Sequence, residues 1–195
     1  MSTTMPIELY TDGSSLGNPG AAGYGFIIRY WAEVEGSDVP EIKQIEGKQG
    51  YRLSTNNRME IMGGIFGLRA ILDRINDGTM SGANQINLFS DSEYFCNAIN
   101  QNWIQKWSNN NWMTSGFQGR QPAPVMSQDL WKQVMELQNT IRGMGINLTV
   151  THVKGHSGNE FNEQADKLAV AASNDGNNHL IDSWYEEYTA NRRKR

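Results

Sequence analysis

The sequence predicts an α/β fold in which a five-stranded mixed sheet, three antiparallel strands followed by parallel strands, is flanked by helices. Two observations lead there. Three β-prone segments come first, joined by links dense in turn residues, and so read as an antiparallel meander. After residue 54 the chain switches to alternating helix-period and strand-period segments, which predicts right-handed crossovers onto a parallel half.

The elements follow in order. Ile7-Glu8-Leu9-Tyr10-Thr11 alternates and is β-prone, a strand that runs into the turn-rich stretch Asp12 to Gly20. Tyr24 to Trp31 reads as a second strand, and Ile42 to Gly47 as a weaker third beyond the polar stretch Glu33 to Pro40. Ser54-Thr55-Asn56-Asn57 is a cluster of helix-capping residues. Apolar residues from Met59 to Leu72 at helical spacing continue from it up to Asp73 or beyond. Ile86 to Ser90 is a short buried-type strand, Asp91 to Asn100 a helix, and Trp103 to Trp112 a tryptophan-rich segment. Residues 114–126 read as loop, Gln128 to Arg142 as helix, Ile146 to Val153 as strand and Glu160 to Ala172 as a last helix. The expected division is a catalytic domain over 1–173 and a C-terminal tail over 174–195, partly ordered or flexible, with a basic end at Arg192-Arg193-Lys194-Arg195.

Composition narrows the class. In 195 residues, 38% are hydrophobic and 19% charged, enough apolar material for a core and too little charge for a disordered chain. One cysteine, Cys96, makes neither an intrachain disulfide nor a structural zinc site. No segment reads as a signal peptide or a membrane span, so the expectation is a monomeric cytoplasmic protein without a membrane partner. The net charge of −4 argues mildly against a nucleic-acid partner. A carboxylate site loaded with cations weakens that objection.

The acids that matter are individually bland. Asp12 lies at the end of the first predicted strand and Asp91 at the end of the fourth. As parallel neighbours about 4.8 Å apart, these strands would project both carboxylates from one sheet edge. Taken alone, Asp12 is a turn residue before Gly13, Asp91 a helix N-cap, Glu60 a dipole-complementing acid in a first helical turn, and Asp166 part of a solvated helix face.

Their contexts are more specific. Tyr10-Thr11-Asp12-Gly13-Ser14, with Leu16-Gly17-Asn18-Pro19-Gly20 and Gly23-Tyr24-Gly25, resembles the opening motif of bacterial type 1 ribonucleases H. Thr55-Asn56-Asn57-Arg58-Met59-Glu60 is similar to that family's second motif, and Ser90-Asp91-Ser92-Glu93-Tyr94 to its third. Val153-Lys154-Gly155-His156-Ser157-Gly158, followed by Asn162-Glu163 and Asp166, is similar to the fourth. The match runs from about residue 7 to 173 in the family's order. A lone TDGS string would carry little weight, whereas four motifs in register carry a great deal.

The resemblance implies a ribonuclease H-like fold and an endonuclease that hydrolyses the RNA strand of RNA–DNA hybrids, leaving 5′-phosphate and 3′-hydroxyl ends. It implies Asp12, Glu60, Asp91 and Asp166 as ligands of two Mg²⁺ ions, with Mn²⁺ as a substitute. Mg²⁺ prefers oxygen ligands, and two ions about 3.5–4 Å apart stabilise both the attacking and the leaving oxygen of an in-line displacement. Matched to the family's mobile-loop histidine, His156 would shuttle a proton or aid product release, its flanking glycines giving mobility; without the motif it is a surface histidine.

The hybrid itself would be read by shape and 2′-hydroxyls. Backbone and side-chain groups of the Gly13 to Asn18 turn, Ser14 among them, are the expected contacts; Asn18, Asn56 and Asn57 match positions facing its minor groove, and Thr55 one holding a DNA-strand phosphate. Turn and capping chemistry explains the same residues. Leu53 stands where an arginine is frequent, with Arg52 one place away, and Glu93 stands where some relatives have glutamine, which changes its hydrogen bonding. Trp103, Trp107 and Trp112, with Trp131 beyond, match the aromatic part of a substrate-binding protrusion, although core packing is the usual role of tryptophan. The protrusion is strongly basic in the family; here Ser108-Asn109-Asn110-Asn111 occupies it, with only Lys106 and Arg120 nearby. A non-catalytic hybrid-binding module and a DNA-acting nuclease or integrase of the same fold are the rival readings. The full set of acids counts against the first, and the Asn-rich motif against the second.

Overall fold

A computed structural model describes residues 6–116, 121–155 and 158–192. Within these residues five strands form one sheet: β1 (Ile7–Leu16), β2 (Gly20–Ala32), β3 (Glu41–Ser54), β4 (Gln85–Ser90) and β5 (Asn147–His152). Their order is β3-β2-β1-β4-β5, with β1–β2 and β2–β3 antiparallel and β1–β4 and β4–β5 parallel. The mixed sheet predicted from the alternation of elements is therefore the one found.

β1, β2 and β3 run past their predicted ends, whereas β5 is one residue shorter at each end than predicted. β1 continues from Asp12 through Leu16 because those residues pair with Ala21 to Gly25 of β2. Glycines and serines of low intrinsic strand preference are held there by the ladder, so a stretch that reads as a turn is mostly sheet. The turn is confined to residues 17–19, where the Asn18–Pro19 bond is cis. Asp12 thus lies within β1, but it does mark the end of the parallel pairing with β4, whose last register pair is Thr11 with Ser90. β3 likewise extends to Ser54, directly before the next helix.

Among the described residues six α-helices accompany the sheet: α1 (Asn56–Asn76), α2 (Glu93–Asn100), α3 (Trp103–Asn109), α4 (Gln128–Gly143), α5 (Glu160–Asn174) and α6 (Ser183–Arg192). Thr55 caps α1 by accepting from the Arg58 amide. Ser92, not Asp91, caps α2, its hydroxyl accepting from the Phe95 amide at 3.3 Å. The simple capping role for Asp91 is therefore taken by its neighbour. The predicted tail carries a 3-10 turn (Gly176–Asn178) and α6, tied back by β-bridge pairing of Leu180 with Tyr51 and by buried Asp182 and Tyr185.

The main core lies between the sheet and α1, α2 and α4, around Leu9, Ile28, Leu88, Met59, Ile65, Leu68, Phe95 and Trp131. On the opposite face Tyr10 and Ile27 pack with Ala165, Phe161 and Leu168 of α5. This alternation of Leu9 and Tyr10 is the period of a strand buried on both sides. Among the described residues no helix is long and apolar enough to cross a membrane.

Candidate functional site

Two glycines let the helices approach the sheet closely enough to build a site. A Cβ on Gly13 would stand 2.6 Å from the Glu60 amide nitrogen, so the first turns of α1 lie directly on β1. A Cβ on Gly25 would stand 2.4 Å from the Ala165 carbonyl oxygen, so α5 lies equally close on the other face. Gly25 pairs with Asp12 across β1–β2, and Asp166 follows Ala165. The same contact therefore carries Asp166 toward Asp12.

Asp12, Glu60 and Asp91 each offer a carboxylate oxygen within 4.8 Å of the other two. Asp12 and Glu60 are each 5% exposed, and Asp91 is half-buried. Asp12 Oδ1 accepts from the Gly13 amide at 2.7 Å, and Glu60 Oε1 accepts from Asn56 Nδ2 at 3.2 Å. Glu60 Oε2 is buried with no hydrogen-bond partner. An orphaned carboxylate oxygen in a cluster of hard donors fits a divalent cation, which satisfies such a group without a donated proton. Asp166 stands outside this tight group, yet its charge is among those acting on Asp12.

Electrostatics agree. Burial first, then the charges of Asp91 and Asp166, push the Asp12 carboxyl up to about 8. Burial, Asp12 and Asp91 likewise raise Glu60 well above the ordinary glutamate range. The Gly13 amide works the other way for both. Without a cation, the crowding thus keeps a proton on Asp12 at neutral pH and disfavours the charged form of Glu60.

A stability prediction follows. Unfolded Asp12 titrates near 3.8 and folded Asp12 near 8, so between those values the folded state binds the extra proton. Stability of the metal-free protein should then fall as pH rises from about 4 to about 8, and level off above. Thermal unfolding in chelator across this range checks it. A melting temperature rising steadily toward pH 8 would contradict the clustered geometry.

Around the acids, Asn18 Oδ1 accepts from the Asn56 amide at 3.3 Å, which joins the β1–β2 turn to the start of α1. Asn18 and Asn57 are exposed, while Gly13, Ser14, Thr55 and Asn56 are half-buried beside them. Glu93 is exposed in the first turn of α2. Arg52 is exposed but engaged, donating from Nε and Nη2 to both carboxylate oxygens of Glu186 on α6 at 2.6 and 2.5 Å.

Trp103 and Trp107 pack on each other and, through Trp107, on fully buried Trp131, with ring centroids 6.0 and 5.6 Å apart. They are core and surface at once, because they also line an open cavity of about 980 Å³ with Lys106, Asn110, Asn111 and Met113. His156 and Arg120 lie outside the described residues.

Sequence reasoning passed over Arg58 and Asp182. Arg58 is 1% exposed and ion-paired to Asp129 and Asp182. Asp182 stands just before the aromatic pair Trp184-Tyr185, and an acid buried beside such residues is almost always paired, but the sequence does not name its partner.

Comparison with known proteins agrees with this geometry. The RNase H family model matches residues 4–174. A ribonuclease H of Aeromonas salmonicida is 42% identical over 167 residues, covering 86% of this chain and 89% of that protein. LC9-RNase H1, a type 1 RNase H with the type 2 active-site motif, superposes with a TM-score of 0.66 at 27% identity, over 97% of this chain and 83% of that one. LC11-RNase H1, solved in complex with RNA/DNA hybrid, shares the fold at 20% identity with a TM-score of 0.53, over 85% of this chain and 95% of that one. A sheet of this order, carboxylates gathered at the end of its β1–β4 pairing, and a match spanning most of the chain place the protein in the RNase H family.

Proposed function

We propose that this protein is an endonuclease that hydrolyses the RNA strand of RNA–DNA hybrids with divalent metal ions, leaving 5′-phosphate and 3′-hydroxyl ends. The observation that carries the reading is the convergence of Asp12, Glu60 and Asp91 oxygens within 4.8 Å around an unpartnered Glu60 oxygen. Asp12, Glu60 and Asp91 would hold Mg²⁺, two ions per site, with Asp166 completing the set from α5 and Mn²⁺ able to substitute. Such an ion, when bound, ionises water at neutral pH and offsets charge on the reacting phosphate.

The chain's own groups then bind and orient. Asn18, Asn56 and Asn57, with Gly13 and Ser14, present amide and hydroxyl groups beside the acids, suited to sugar hydroxyls and base edges. Thr55 caps α1 and offers its side chain to a DNA-strand phosphate. Arg52 is neutralised by Glu186 and adds little phosphate attraction there. Glu93 contacts the hybrid as an acceptor. Trp103 and Trp107 supply an apolar wall against which a sugar-phosphate strand can lie. His156 assists proton transfer or product release. Residues 1–173 act as the catalytic domain, and the protein works as a monomer in the cytoplasm, in keeping with its single buried thiol at Cys96.

The deciding experiment offers labelled hybrid, RNA duplex and DNA duplex side by side with Mg²⁺. Cleavage of the hybrid's RNA strand is expected, and no cleavage under any divalent metal would overturn the reading. A further prediction concerns salt. Only Lys106 supplies a cation among the described residues lining the tryptophan cavity. Hybrid binding by an inactive variant should weaken with salt at a shallow log–log slope of about −3. A slope steeper than about −6 would mean many more phosphate contacts than this surface offers.

A further inference from the structure

The first turn of α1 is held from two sides. On one, Gly13 lets it rest on β1, with no room for a Cβ. On the other, Arg58 projects into a buried knot. Its Nη1 and Nη2 donate to Asp129 Oδ1 and Oδ2 at 2.8 Å each, and its Nε and Nη2 donate to Asp182 Oδ2 and Oδ1 at 2.6 and 2.8 Å. Ser54 Oγ donates to Asp182 Oδ2 at 2.6 Å, the Tyr185 amide donates to Oδ1 at 3.3 Å, and the Trp184 ring lies 4.6 Å from the guanidinium. The starts of α1 and α4, the end of β3 and the start of α6 meet at this one cation.

Glu60, two residues on, has no comparable anchor. Its side chain is held through Oε1 by Asn56 of its own helix, and Oε2 has no hydrogen-bond partner. Where Glu60 sits is therefore set by where α1 sits, and Arg58 fixes α1 from the side away from β1. Asp182 belongs to residues 175–192, beyond the stretch matched by the family model.

We propose that Arg58 and Asp182 are positioning residues that hold Glu60 at metal-binding depth, so that the C-terminal segment is a working part of the site. The inference rests on the assignment of Asp12, Glu60 and Asp91 as metal ligands. Asp182→Ala removes the anchor without touching a ligand. Asp182→Asn keeps an acceptor for Arg58 while losing the charge. Ile146→Ala, in the core just before β5 and at the end of that strand away from His152, serves as a control for lost stability.

The measurements are Mn²⁺ binding by calorimetry, well below the unfolding temperature of each variant, and kcat and KM for hybrid cleavage as metal is varied. Asp182→Ala should bind Mn²⁺ about tenfold more weakly, as removal of an orienting partner does in metal sites. Its kcat should fall at low metal and recover in part with excess, while KM for the hybrid stays near the wild-type value. Asp182→Asn should lie between and carries the comparison if Asp182→Ala does not fold. Ile146→Ala should bind Mn²⁺ like the wild type. Asp182 variants that bind Mn²⁺ within twofold of Ile146→Ala would overturn the proposal while leaving the metal site intact. A wild-type protein that binds no Mn²⁺ would overturn both.

Discussion

Asp12→Asn is expected to lower the hybrid-cleavage rate by about 10³-fold or more and, in the same protein, to raise the melting temperature of the metal-free form. The rate loss follows because the amide brings no charge to a cation, and metal stabilisation of a reacting phosphate is worth several kcal/mol at about 1.4 kcal/mol per decade. The stability gain follows from crowding. Asp12 faces the charges of Asp91 and Asp166 from a buried position, and its carboxyl is pushed up to about 8. Removing one member relieves that conflict above pH 4, by an amount on the order of 1–2 kcal/mol, or about 3–6 °C for a chain of this size. Saturating Mg²⁺ should reverse the order, stabilising the wild type and not the variant. Calorimetric scans with chelator and with Mg²⁺, beside single-turnover rates, check both halves. A variant that kept near-normal rates would remove Asp12 from the site.

Arg58→Ala should give the largest loss of stability of any exchange in the molecule. It would leave Asp129 and Asp182 facing each other with no cation between them, and Asp182 is almost wholly buried. Breaking a buried pair from one side costs about 3–5 kcal/mol, and here one side chain serves two partners. The melting temperature should drop by roughly 10 °C or more at neutral pH. Lowering the pH toward the carboxylate range should recover part of the loss, because protonation relieves the stranded acids. Denaturant unfolding at neutral and acidic pH measures this. A loss no larger than that of an exposed ion pair, about 0–1 kcal/mol, would show the knot to be ornamental.

Much of this was readable in the sequence, for a physical reason. The mixed character of the sheet follows from strand-period and helix-period segments that each bury a face, and Leu9 against Tyr10 is that alternation made visible. Each acid alone has an ordinary structural role, and what singled them out was the resemblance of their four motif contexts to those of the family; the structure brings Asp12, Glu60 and Asp91 together. What was not readable came from long-range pairing. β1 runs through Gly13, Ser14 and Ser15 because β2 lies alongside, which no local preference announces. The Arg58–Asp182 pairing spans 124 positions, and α6 is too polar on average to declare a buried face before its anchor is known. The tryptophans differ: local sequence does not separate core packing from a substrate-facing role, and Trp107 packs on buried Trp131 while lining the open cavity.

The two-sided grip on β1 bears on when the protein could first work. α1 covers one face of the strand and α5 the other, and Asp12 stands between a helix that begins at Asn56 and one that ends at Asn174. A chain made as far as β5 holds Asp12, Glu60 and Asp91 but lacks α5, which packs on the face of the sheet opposite α1. Asp166 can therefore join Asp12 only after α5 has been made and has packed on its face of the sheet.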